Sequence, residues 1–90
     1  MVLLNLNRGE KMNDWRLTNQ EKYLRKANLL KCNILQYPEK DHEHCSFCWD
    51  KFGKNIDMLK EGYCTTDSYH WICEKCFNDF KNMFEWKIVN

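Results

Sequence analysis

Two cysteine pairs, Cys45-Ser46-Phe47-Cys48 and Cys73-Glu74-Lys75-Cys76, stand 24 residues apart in the chain. Two intervening residues let both sulfurs of a pair reach one ion without backbone strain, and two such pairs close a tetrahedron of soft ligands. The spacing therefore points to one structural Zn2+ held by Cys45, Cys48, Cys73 and Cys76, with no position left for water or substrate. The second pair falls where a helix is expected to begin. There, free backbone N–H groups and the helix dipole favour thiolate over thiol.

Other readings of these cysteines are weaker. A redox Cys-x-x-Cys needs a βαβ setting, which the pattern lacks. An iron–sulfur cluster also takes four cysteines, but two even pairs around a hairpin favour zinc. Zinc deaminases require His-x-Glu and Pro-Cys-x-x-Cys, and no proline precedes either pair. Treble-clef nucleases place their histidines between the pairs, whereas Asp41-His42-Glu43-His44 precedes the first. A hydrolytic or redox enzyme thus ranks last, and no catalytic residue is assigned. His42 and His44 are read as solvated groups, or else as a replacement ligand or the holders of a second ion. His70 reads as a surface strand residue. Cys64 reads as a small buried side chain or a spare ligand, and Cys32 as an ordinary free thiol.

The chain has 90 residues, room for one domain whose core alone yields only a few kcal/mol. A staple is expected, and with six cysteines the choice lies between disulfides and metal. Met1-Val2-Leu3-Leu4 is too short an apolar start for a secretory signal, and no later run could span a bilayer. The chain is accordingly read as cytoplasmic, where cysteine pairs usually mean metal. Basic residues number 14 against 13 acidic. Four thiolates on one zinc ion turn the formal +1 into about −1. That is not the electrostatic footprint of a nucleic-acid binder.

These ligands need elements to position them. Thr18-Asn19-Gln20-Glu21 fits a capping box, and Tyr23, Leu24, Ala27, Leu30 and Ile34 recur at helical spacing, so a helix is expected over 18–33. Pro38 stops any continuation. Residues 39–44 read as a charged link. Trp49 and Phe52 are expected to pack on the last helix; exposed, they would mark a partner site instead. Residues 53–62 read as a loop. Residues 63–66 and 69–72 read as a hairpin turning at Asp67-Ser68. The last helix should run from Cys73 to about Trp86, with Phe77, Phe80, Met83 and Phe84 on one face. Residues 1–17 read as a disordered or mis-annotated extension. Arg8-Gly9-Glu10-Lys11 can be encoded by a purine-rich run resembling a ribosome-binding site, which would make Met12 the natural start; the alternative is an ordinary tail.

The run Cys45-Ser46-Phe47-Cys48, followed by Trp71-Ile72-Cys73-Glu74-Lys75-Cys76 opening a helix, resembles a treble-clef zinc finger. Its nearest likeness is the small zinc-binding domain of the bacterial ClpX unfoldase, over residues 45–84. The resemblance implies a zinc knuckle, a β-hairpin and a C-terminal helix, within about 45–86 of a single α+β domain spanning 18–90. It also implies a dimerising module that docks protein partners, in a bacterial or phage setting. Trp49 departs from the family, which usually has glycine there, and no Gly-rich phosphate loop accompanies the finger. The functional expectation is a non-enzymatic protein-interaction module, an adaptor or regulator, with homodimerisation open and no membrane partner. Nucleic-acid binding is the alternative. Lys51, Lys54 and Lys60, and then Lys75, Lys81 and Lys87, cluster loosely, but interspersed acids break up both groups.

Overall fold

The computed structural model describes residues 14–90, an α+β arrangement of two small sheets and one long helix. A single helical turn, α1 (Glu21–Leu24), leads into strand β1 (Asn28–Asn33) and a 3-10 turn (Ile34–Gln36). Strands β2 (His42–His44) and β3 (Lys51–Gly53) pair antiparallel as a separate two-stranded sheet. Strands β4 (Glu61–Thr65) and β5 (Trp71–Ile72), helix α2 (Glu74–Phe84) and strand β6 (Lys87–Ile88) follow. The larger sheet has the order β5-β4-β1-β6. β1 is antiparallel to β4 and parallel to β6.

The helix expected over 18–33 is not formed. Its first turn survives as α1, but Asn19 and Lys26 take left-handed φ values of 78° and 60°, and Arg25 is extended. Thr18 does not cap: its hydroxyl accepts from Gln20 Nε2 at 3.3 Å, and the N-cap position falls on Gln20. Beyond Lys26 the chain becomes β1. Asn28, Cys32, Asn33 and Ile34 are indifferent helix formers. Pairing on both edges then outweighs the weak local preference: Leu30 lies opposite Cys64 on one side and Leu29 opposite Ile88 on the other.

The charged link is not irregular either. Its last three residues form β2, in register with β3 so that Glu43 faces Phe52. The hairpin stands close to where the sequence puts it. Thr65 N–H donates to the His70 carbonyl at 3.0 Å, and Ser68, with φ 59°, takes the left-handed corner of the turn. The Asp67 carboxylate accepts from the Thr65 hydroxyl and from Tyr69 N–H, which holds its pKa below the usual carboxylate value. At Gly62 a Cβ would lie 2.7 Å from the Ile72 carbonyl oxygen and 2.8 Å from the Phe52 ring, so only glycine lets β5 and Phe52 approach β4 this closely.

Helix α2 buries Cys76, Phe77, Phe80 and Phe84, while Met83 packs at the edge of the core. Glu85, at φ 55°, ends it, and Trp86 N–H closes back on the Lys81 carbonyl at 3.1 Å in the manner of a Schellman cap. The Trp86 indole N–H then donates to the Leu24 carbonyl at 2.8 Å. Phe47, from the middle of the first cysteine pair, inserts among Phe80, Phe84 and Trp86 with ring centres 5.0–5.7 Å apart. Burying rings of this size supplies much of the drive to fold in so short a chain.

The folded unit begins before residue 18. Leu17 packs against the core, and the fully buried Gln20 side chain donates to the Arg16 and Ser46 carbonyls at 2.8 Å each. Asp14 to Leu17 therefore belong to the domain rather than to an extension. The proposed start at Met12 lies outside the described residues.

Candidate metal centre

The first cysteine pair sits on the turn between β2 and β3. Cys45 N–H donates to the Asp50 carbonyl at 2.8 Å, and Trp49 N–H to the Cys45 carbonyl at 3.1 Å, closing the loop around the sulfurs. The turn requires Trp49 to adopt φ 73°, a left-handed conformation that costs a residue with a Cβ about 1 kcal/mol. Its indole is not packed on α2, as the sequence led one to expect. It is 71% exposed, because the left-handed backbone points it away from the fold. Phe52 is fully buried, and its ring partner is Trp71, 5.2 Å away, not a ring of the helix.

The second pair enters from β5. Ser46 N–H donates to the Trp71 carbonyl at 2.7 Å, which docks the knuckle beside that strand. Cys73 is the N-cap of α2, its sulfur accepting from Cys76 N–H at 3.5 Å, and Cys76 lies in the first turn. The cap position and the N–H groups of the first turn favour negative charge on these sulfurs.

All four sulfurs lie within 4.8 Å of one another, and the Cys48 and Cys73 sulfurs are 3.6 Å apart. A tetrahedral ion with ion–sulfur bonds of about 2.3 Å needs sulfur–sulfur edges near ~3.8 Å, so the cluster can hold one metal ion. Cys45, Cys73 and Cys76 are buried and Cys48 partly so. The backbone already faces charge here: Phe47 N–H and Cys73 N–H each donate to Cys45 Sγ at 3.4 Å. Hydrogen bonds from Cys73 and Cys76 hold the Cys45 pKa far below that of an ordinary thiol, while burial pushes Cys48 up to about 12. Four sulfurs this close share their protons, and a bound cation would offset the charge of all four as thiolates.

Arg16 is a participant the sequence did not disclose. Its guanidinium donates to Cys76 Sγ at 3.4 Å and to Asp79 at 3.0 Å, and it lies 4.4 Å from the centre of the Phe80 ring. Asp14 holds it from behind at 2.7 Å and keeps it firmly protonated. With 13% of its side chain exposed, this cation would offset part of the −2 that four thiolates and a divalent ion would carry together. The only clue in the sequence is that surplus negative charge, which calls for a cation without saying which one.

The other candidates separate from this cluster. No histidine joins it among the described residues. His70 lies between Tyr23 and Tyr69, with ring centres 4.5 and 4.7 Å away. Cys32 and Cys64 meet each other instead, on neighbouring strands, and the Tyr37 hydroxyl is 4.0 Å from Cys64 Sγ. The hydrogen bond to Cys64, together with burial, raises the Cys32 pKa, so that sulfur stays a thiol.

No protein family, curated protein or solved structure matches the chain. Among the described residues no helix is long and apolar enough to cross a membrane.

Proposed function

We propose that the four-cysteine cluster is a structural zinc site of treble-clef type, in a non-catalytic module that docks a protein partner. The observation that carries this reading is the closed set of four sulfurs, each anchored by a different turn, cap or strand end. Four thiolates satisfy zinc completely and leave no open position for substrate. The knuckle, the β4–β5 hairpin and a helix carrying the last two ligands follow the order that the ClpX-like resemblance implies. Two large side chains, Trp15 next to Arg16 and Trp49 next to Cys48 in sequence, are 70% and 71% exposed. Exposed tryptophans of this kind are common anchors of protein interfaces. Reduced thiols suit a cytoplasmic setting, and an adaptor or regulatory role fits a domain whose metal site would be closed to substrate.

The test has two parts. Metal analysis of reduced, purified protein should find one zinc per chain, and a folded chain without zinc would overturn the site. A pull-down from the native host with zinc retained should recover one stoichiometric protein, and should lose it in the Trp49→Ala variant. Recovery of nucleic acid instead would replace this reading with the nucleic-acid-binding one.

A further inference from the structure

Strand β2 presents a second set of metal-ligating side chains. His42 and His44 are two positions apart on one strand, so their rings leave the same face of the hairpin. Both are exposed, their ring centres lie 5.0 Å apart, and their planes stand at 88°. His42 Nδ1 is 2.8 Å from an Asp41 carboxylate oxygen. A carboxylate only accepts, so the neutral ring carries its proton on Nδ1 and leaves the Nε2 lone pair free. The His44 imidazole has no hydrogen-bond partner among the described residues. Glu43, on the opposite face, is engaged by Lys40 at 2.9 Å.

We propose that His42 and His44 form a second metal site, a bidentate imidazole chelate for a borderline divalent transition-metal ion such as Ni2+, Cu2+ or Zn2+. The ring separation suits it. Rings with centres 5.0 Å apart stand edge to face, and because both side chains are exposed, rotation about their side-chain bonds would bring one nitrogen of each to about 2.1 Å from a shared ion. The Asp41–His42 pair is the carboxylate–histidine arrangement that orients a ligating ring and strengthens its donor nitrogen. The antiparallel pairing of His42 with Gly53 and His44 with Lys51 holds both backbones in place. Hard cations are excluded by the donors, because calcium and magnesium take oxygen ligands. Water completes the shell on this open face, so the ion exchanges readily, unlike the one held by four sulfurs.

The experiment is a calorimetric titration of the purified, metal-loaded full-length chain with Ni2+, with zinc content followed in parallel. One further equivalent should bind in the micromolar range with no release of zinc. His42→Ala and His44→Ala should each weaken binding by about tenfold or more, and Asp41→Asn by less. His70→Ala should leave it unchanged. Asp41, His42 and His44 are exposed, so their variants should keep the parent's circular dichroism spectrum. Nickel binding that survives in the His42→Ala/His44→Ala double variant would overturn the site. So would uptake matched by zinc loss, or no binding below millimolar nickel.

Discussion

The six cysteines fall into two groups that use the same side chain for opposite ends. Cys45, Cys48, Cys73 and Cys76 sit on turns and a helix cap, where N–H groups converge on sulfur and a guanidinium lies alongside. Cys32 and Cys64 sit inside the larger sheet, both buried, with each other and the Tyr37 hydroxyl for polar company. The first environment surrounds sulfur with backbone donors, whereas in the second the two thiols share one hydrogen bond that raises Cys32 and lowers Cys64 to about 7. Backbone position, more than the thiol itself, decides whether a cysteine becomes a ligand or a small apolar filler.

The sharpest way to break that contrast is to remove one member of each group. Cys76→Ser should lower zinc affinity by more than the ~100-fold that an outer-shell partner can command, and the chain should lose its cooperative unfolding transition. Cys64→Ala should keep one zinc per chain and cost only about 1–2 kcal/mol for the space it leaves. If the two variants behave alike in metal content and melting, the division into ligands and fillers is wrong.

A second test keeps every sulfur and removes the cation beside them. Arg16→Gln should weaken zinc binding by about tenfold, read by competition with a chromogenic chelator, and should quicken thiol alkylation. Unchanged affinity would reduce Arg16 to a packing residue over Phe80. A smaller and opposite effect is expected at the knuckle. Trp49→Gly relieves the left-handed strain and should raise stability by about 0.5–1 kcal/mol in denaturant titrations, even as it removes the exposed indole. A loss of stability there would mean that the indole has packing partners.

The smallest effect lies at the β4–β5 turn. The Asp67 pKa is depressed in the fold, chiefly by the Thr65 hydroxyl. Its contribution is therefore complete above the ordinary carboxylate pKa near ~3.9 and fades as pH falls through the lower folded value. Asp67→Asn should flatten that part of the acid limb and change little at neutral pH. An acid limb identical to the parent's would show that the turn does not use this carboxylate.

The legibility of these regions follows from the range of the forces involved. Cys-x-x-Cys spacing, the Phe77, Phe80 and Phe84 stripe and the β-formers around Asp67-Ser68 are local signals, and the elements stand close to where those signals put them. β1 was not legible. Residues 23–34, which contain it, happen to repeat at helical spacing, while the reason 28–33 extend lies in β4 and β6, far along the chain. β2 was hidden for a related cause: three alternating charged and histidine residues carry no apolar pattern and become a strand only because β3 lies beside them. Arg16 was missed because one arginine after a tryptophan has no periodicity to reveal it. Trp49 was half seen, as a glycine position without glycine, but its exposure depends on a backbone angle that no pattern of residue types encodes.

The place of β1 in the larger sheet has a consequence for assembly. It is synthesised before both strands that flank it, and one of those, β6, also follows α2 and all four clustered cysteines. A nascent chain on the ribosome therefore carries an unsatisfied central strand until the ligand-bearing half has emerged. Metal capture, by drawing the knuckle to the start of α2, would shorten the loop that β1 must close, so zinc supply should set the pace of folding as well as its end point.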